Sequence, residues 1–158
     1  MIPRSAEKIL KQLAQEYPVV TITGPRQSGK TTLVRSFFKK KTYVSLENPD
    51  LRDLAQNDPR SFLDRYKYGA IFDEVQKTPH ILSYLQEIVD KDSRPGRFIL
   101  TGSQQFDLLS GITQSLAGRT ALIQLLPFSY KECYSNKKVA SQKSLDQVLY
   151  TGLYPPIH

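Results

Sequence analysis

A chain of 158 residues, 39% of them hydrophobic, is long enough for one domain with a core and too short for two. Its net charge of +7 favours anionic partners, and its single cysteine excludes an internal disulfide and a cysteine-based zinc site. No run approaches the ~20 apolar residues of a membrane span, and the first residues lack the apolar core of a signal peptide. We therefore expect a cytoplasmic protein with no membrane partner.

Short apolar runs alternate with segments of helical periodicity, which predicts an α/β fold with a mainly parallel sheet. Ser5 is the candidate N-cap of the first helix. The predicted elements are, in chain order, a helix over 5–16, a strand over 19–23, a helix over 30–39, a strand over 43–46, helical turns over 49–66 interrupted near 57–59, a strand over 70–72, a helix over 79–90, and strands over 97–101 and 121–126.

The segment GPRQSGKTT, residues 24–32, lies between a predicted strand and a predicted helix. It matches the Walker A pattern Gly-x-x-x-x-Gly-Lys-Thr of phosphate-binding loops. Glycines let backbone N–H groups face phosphate oxygens, and the helix N-terminus favours negative charge. We expect Lys30 to reach the β- and γ-phosphates and the Thr31 hydroxyl to bind Mg²⁺. The candidate nucleotide-binding residues are Gly24, Pro25, Arg26, Gln27, Ser28, Gly29, Lys30, Thr31 and Thr32. The variable side chains of such loops usually point away from phosphate, so we favour an interface or ion-pair role for the side chain of Arg26.

The segment AIFDEVQ, residues 70–76, supplies two acids at the end of a predicted strand. At this position Asp73 can hold Mg²⁺ through its water shell, and Glu74 can act as the base that deprotonates an attacking water. Asp-x-x-Gly, which is typical of GTPases, is absent here, and the pair Asn136-Lys137 lacks the aspartate that reads guanine. The nucleotide is therefore expected to be ATP rather than GTP.

Two further segments carry candidate catalytic residues. FILTGSQQ, residues 98–105, ends a strand in hydroxyls, so Thr101 or Ser103 is expected to sense the γ-phosphate; the sequence does not decide between them. SLAGRTALIQLLPFS, residues 115–129, places Arg119 just before the last strand, where it could neutralise charge on the γ-phosphoryl group. The guanidinium could act in its own chain or at a neighbour's nucleotide.

Together, TGPRQSGKTTL, IFDEVQ, ILTGSQ and LAGRTALIQLLPFSYKE resemble the AAA+ superfamily of P-loop ATPases, and within it a prokaryotic group with a C-terminal domain of unknown function. The resemblance implies a three-layer P-loop NTPase sandwich with a five-stranded sheet, in which the strand ending at Thr101 lies between those ending at Thr23 and Asp73. It also implies ATP, Mg²⁺ and a homo-oligomer. A first helix over 5–16, a nucleotide-binding core over 18–135 and a tail over 136–158 are expected, without the family's C-terminal domain.

These residues predict an ATP-hydrolysing switch or motor. The alternative is a nucleotide-gated module that binds DNA or protein with negligible hydrolysis, and a third interpretation is a P-loop kinase. Basic clusters at 39–41 and 137–138 are typical of solvated helix ends, and nucleic acid stays open as a partner. His80 and Cys133 are interpreted as structural rather than catalytic residues.

Overall fold

The structure, a computed structural model, describes residues 2–103, 106–134, 150 and 152–155. The strands are β1 (Val19–Gly24), β2 (Thr42–Ser45), β3 (Ala70–Asp73), β4 (Phe98–Ser103) and β5 (Thr120–Gln124). The helices are α1 (Ala6–Glu16), α2 (Lys30–Phe37), α3 (Pro49–Asn57), α4 (Pro59–Asp64), α5 (Ile81–Lys91), α6 (Phe106–Ser115) and α7 (Tyr130–Tyr134). Across these ranges no helix combines the length and apolarity needed to cross a membrane.

The five strands form one sheet in the order β2-β3-β4-β1-β5, and every neighbouring pair is parallel. β4 therefore lies between β1 and β3, which confirms the order implied by the resemblance. Because all strands run the same way, their last residues meet along one side, the carboxyl edge, and their first residues along the opposite side, the amino edge. The segments that carry Lys30, Asp73 and Thr101 all lie at the carboxyl edge.

Helices cover both faces of the sheet, which confirms the three-layer arrangement. On one face, residues of α3 to α6 pack on the strands, with Phe62, Phe72 and Leu85 fully buried. On the other face, Leu10 of α1 and Leu33 of α2 pack on alternate residues of the same strands. The period-two alternation of strand side chains thus supplies two cores from one sheet.

The predicted interruption near residues 57–59 is present and has a local cause. Asn48 caps α3 by accepting hydrogen bonds from the N–H groups of Asp50 and Leu51, and Pro49 occupies the first helical turn. Asp58 repeats the arrangement for α4, where its carboxylate accepts from Ser61 N–H and a proline follows. Two capping residues, each followed by proline, divide the predicted segment into two helices.

Several predicted bounds differ from the structure. Ser5 does not cap α1 through its side chain; its backbone N–H donates to Glu132 instead, at 2.7 Å. α2 ends at Phe37, because Phe38 leaves the helical region, and the lysines of 39–41 lie in the turn that follows. The sequence analysis did not predict α6 or α7. Nearly all of the predicted tail over 136–158 falls outside the described residues, as do Gln104 and Gln105.

Candidate functional site

The loop between β1 and α2 depends on glycine at both ends. Gly24 has a φ of +150°, and a Cβ there would lie 2.1 Å from the carbonyl oxygen of Leu125. Gly29, at the N-cap of α2, has a φ of +89°. Only glycine adopts both conformations without strain. The backbone therefore curls tightly from the strand into the helix, as a phosphate-binding loop requires.

Lys30 is folded into this loop. Its side chain is buried, and its Nζ donates to the carbonyl oxygens of Gly24 at 3.0 Å and Pro25 at 2.8 Å. Burial lowers the pKa of the Lys30 ammonium, while the nearby charges of Glu74 and Asp73 oppose that shift. The ammonium thus lies between the loop and the two acids predicted for catalysis.

Asp73 is buried and accepts hydrogen bonds from three hydroxyl groups on three different elements. Thr31 Oγ1 of α2 lies 3.0 Å from Oδ2 and 3.2 Å from Oδ1, and the hydroxyl of Tyr43 on β2 donates to Oδ2 at 2.6 Å. Thr101 Oγ1 of β4 donates to Oδ1. The two predicted magnesium ligands, Thr31 and Asp73, are therefore in direct contact.

The sequence analysis did not identify Tyr43 as a site residue. Burial, and to a smaller extent the hydrogen bond to Asp73, raises the pKa of the Tyr43 phenol to about 12. The Arg35 guanidinium lies 4.7 Å from the centroid of the Tyr43 ring. The contact between Tyr43 and Asp73 follows from the pairing of β2 with β3. In that pairing Ser45 lies opposite Asp73, and Tyr43 lies two residues before Ser45. That pairing is a property of the fold, so local pattern alone does not find it.

We expect Tyr43→Phe to lower the free energy of unfolding by about 1–2 kcal/mol at pH 8, because Asp73 loses a hydroxyl donor. The raised pKa favours the neutral phenol in the folded state, so this contribution is complete below pH 10 and is lost as the pH rises towards 12. The stability gap between wild type and variant should therefore close between pH 10 and 12 in urea unfolding curves. A constant gap across that range contradicts the assignment.

Glu74 follows Asp73 with a φ of +60°, an uncommon conformation for a residue other than glycine. Its carboxylate lines a cleft of about 350 Å³ together with Lys30 and Thr31, and its Oε2 accepts a hydrogen bond from Gln76 Nε2. Glu47 and Pro155, which the sequence analysis did not single out, line the same cleft. The predicted base therefore faces the loop while a neighbouring amide holds it.

The structure separates the two candidate sensors. The hydroxyl of Thr101 is engaged with Asp73. Ser103 lies opposite Gly24 in the sheet register, and its buried Oγ has no hydrogen-bond partner among the residues described. The buried Oγ of Ser28, within the loop, is in the same state. Two buried hydroxyls, one in the loop and one on the strand beside it, therefore have no hydrogen-bond partner among the described residues, and buried polar groups normally have one.

Arg119 is not brought to this site. It precedes β5 at the amino edge, where its carbonyl oxygen accepts from Val19 N–H at 3.3 Å. Its guanidinium pairs with Asp90 of α5, with Nη2 2.9 Å from Oδ2. The structure does not bring Arg119 to the loop of its own chain, because the length of the strands separates the two edges of the sheet. Arg26, by contrast, is exposed and lines the cleft.

Residues 16–134 match the family model of the AAA domain. The chain belongs to this family. Among curated proteins, this AAA domain is 34% identical over 156 residues to the uncharacterised proteins Rv2008c of Mycobacterium tuberculosis and Mb2031c of Mycobacterium bovis. The alignment covers 97% of this chain and 33% of each relative. The chain therefore spans about a third of the length of these relatives.

Solved structures place the AAA domain in the P-loop ATPase fold. It is similar to AMPPCP-bound DnaA of Aquifex aeolicus, with a TM-score of 0.62 at 17% identity over 96% of this chain and 56% of that one. It is also similar to the Walker-type ATPase PABY2304 of Pyrococcus abyssi, with a TM-score of 0.58 at 19% identity over 84% of this chain and 56% of that one. At these identities the likeness establishes the fold.

The residues of the AAA domain fit a nucleotide and a hard divalent cation. Thr31 and Asp73 present the oxygen ligands that Mg²⁺ prefers. The loop has no room for a Cβ at Gly24, and the unpaired hydroxyls of Ser28 and Ser103 lie beside it. Lys30 adds the cation that phosphate requires. Every one of these groups lies at the carboxyl edge.

Proposed function

We propose that this AAA domain binds ATP with Mg²⁺ at the carboxyl edge and hydrolyses it, acting as a switch or motor. The observation that carries the proposal is the contact between Thr31 and Asp73 beside the buried ammonium of Lys30. The proposed metal ligands and the proposed phosphate-binding cation thus come from two elements, α2 and β3, and lie close together. The AMPPCP in the DnaA structure supports a nucleotide as the ligand.

Each residue then has a distinct task. Thr31 and Asp73 would hold the magnesium ion, which when bound neutralises phosphate charge. Tyr43 on β2 and Thr101 on β4 keep the Asp73 carboxylate oriented through their hydrogen bonds to it. When a nucleotide binds, the Lys30 ammonium would donate to phosphate oxygens instead of to the carbonyl oxygens of the loop. Glu74 would accept the proton of the attacking water.

Ser103 is the better candidate for contact with the γ-phosphate, because its hydroxyl is unpaired among the described residues and that of Thr101 is not. Arg119 serves a neighbouring subunit's nucleotide in this proposal, since its position at the amino edge excludes its own. Such a role requires the guanidinium to leave Asp90 on assembly. The proposed assembly is a homo-oligomer.

A nucleotide-gated binding module with negligible hydrolysis is the second candidate. It is favoured by the hydrogen bond that holds Glu74 to Gln76, which keeps the base engaged with a neighbouring side chain rather than with water. Without Arg119 from a neighbour, the single chain also lacks that source of charge for the γ-phosphate. The two candidates differ in phosphate release, which only hydrolysis produces.

We expect phosphate release from Mg-ATP, measured across a protein dilution series, to rise in specific activity with protein concentration. Arg119→Ala should abolish that rise, because the neighbour's cation is gone, while Arg65→Ala, which removes an exposed arginine of the segment before β3, should keep it. A specific activity independent of concentration removes the intersubunit role. ATP binding without phosphate release at any concentration supports the binding module instead.

A further inference from the structure

The loops that enter β2, β3 and β4 form a strongly basic surface at the amino edge, opposite the nucleotide site. These strands are adjacent in the sheet, so their entry loops are adjacent as well. We call this surface the basic edge; its members are Lys39, Lys40, Lys41, Lys67, Tyr68 and Arg94. All except the half-buried Lys41 are exposed. The acids of these loops are Asp64, at the end of α4, and Asp92, which pairs with Arg94 and Arg97.

Two partly buried hydrogen bonds hold the three loops together. Lys41 Nζ donates to the carbonyl oxygen of Arg97 at 3.1 Å, and Arg97 Nε donates to that of Lys67 at 3.2 Å. Burial lowers the pKa of the Lys41 ammonium, and the positive charge of Arg94 lowers it further. The cations of separate loops are therefore close enough to repel one another. A polyanion would relieve that repulsion.

Tyr68 gives the basic edge an aromatic face. Its side chain is 78% exposed, and Lys67 Nζ lies 5.2 Å from its ring centroid. Pro95 is the other exposed apolar side chain in the described residues of 38–41, 64–69 and 91–97, so these loops have little to insert into a lipid bilayer. A ring among cations matches a nucleotide base attached to a phosphate chain.

We propose that the basic edge binds single-stranded nucleic acid, with Lys39, Lys40 and Lys67 at the phosphates and Tyr68 stacked on a base. Lysines at the backbone bind without regard to sequence, and stacking suits unpaired bases. The site is separate from the proposed ATP site, because the six residues of β4 span roughly 20 Å at about 3.3 Å per residue. A nucleic acid on the basic edge would therefore leave the proposed ATP site free.

The test uses the 158-residue chain and a fluorescein-labelled oligothymidine, followed by fluorescence anisotropy at low salt. The double variant Lys39→Glu/Lys40→Glu should weaken binding at least tenfold. Lys8→Glu/Lys11→Glu, which changes net charge equally at two exposed lysines of α1, should weaken it less than threefold. Equal loss in both double variants overturns the proposal, because net charge alone then explains binding.

Stacking is tested at Tyr68. Tyr68→Ala should weaken oligothymidine binding about tenfold, while Tyr68→Phe, which keeps the ring, should bind as wild type does. Unchanged melting temperatures show that the variants fold. Wild-type affinity in Tyr68→Ala, equal or tighter binding of a DNA duplex, or preferential binding of phosphatidylserine vesicles each overturns the proposal. These readouts need no ATP, so they stand apart from the proposed hydrolysis.

Discussion

Glu74→Gln is expected to leave Mg-ATP binding intact and to lower phosphate release by about 10²- to 10³-fold. Glutamine keeps the size and the hydrogen-bonding shape of the side chain, so the backbone at φ +60° and the contact with Gln76 can persist. It cannot accept a proton from water. Binding and turnover are therefore expected to separate in this variant, as they should when a residue acts in the transition state alone.

Glu47→Gln is the matched control, because Glu47 lines the same cleft and undergoes the same chemical change. It lies outside the pair of acids that follows β3, so its phosphate release should stay within about threefold of wild type. Binding is measured with a fluorescent ATP analogue and turnover by phosphate release, on the same preparations. Wild-type turnover in Glu74→Gln, or equal losses in both variants, contradicts the role of Glu74 as base.

The strands of the sheet and the loop at its carboxyl edge were predictable because their signals are local. Gly24 and Gly29 bracket a loop whose backbone only glycine permits, and Lys30 and Thr31 follow at once in the chain. Asp73 ends a short apolar run, which marks a buried parallel strand. The strand order came from the resemblance, since no local pattern says which strands are neighbours.

What the sequence analysis missed depends on contacts between distant segments. The hydroxyl of Tyr43 on β2 donates to Asp73 on the neighbouring strand β3, although the two residues are 30 positions apart in the chain. Arg119 follows a glycine and precedes a strand, a pattern that does not reveal which edge it occupies; the parallel pairing of β5 with β1 places it at the amino edge. Thr101 and Ser103 are equivalent sensor candidates in the sequence, and only the hydrogen bonds of their hydroxyls distinguish them. Side-chain partners follow from topology, which single-sequence patterns leave open.

Lys30→Met is expected to abolish ATP binding while leaving the free energy of unfolding of the ligand-free chain unchanged or higher. The ammonium is buried, and burial lowers its pKa, which means that the charged form pays for desolvation in the folded state. Methionine fills a similar volume without that cost. The carbonyl oxygens of Gly24 and Pro25 lose a donor; water can replace it at the half-buried Pro25, whereas the loss at the buried Gly24 offsets part of the gain.

Thermal unfolding with and without Mg-ATP measures both effects at once. Wild type should gain about 2.7 kcal/mol at a ligand concentration 100 times its Kd, and Lys30→Met should gain nothing. Lys8→Met, at an exposed position on α1 that does not line the cleft, removes the same charge and should keep the full ligand-induced shift. A wild-type shift in Lys30→Met contradicts phosphate binding by Lys30. If Lys30→Met instead greatly lowers the free energy of unfolding of the ligand-free chain, Lys30 has a structural role. Its two carbonyl contacts then stabilise the fold by more than the desolvation that lowers its pKa destabilises it.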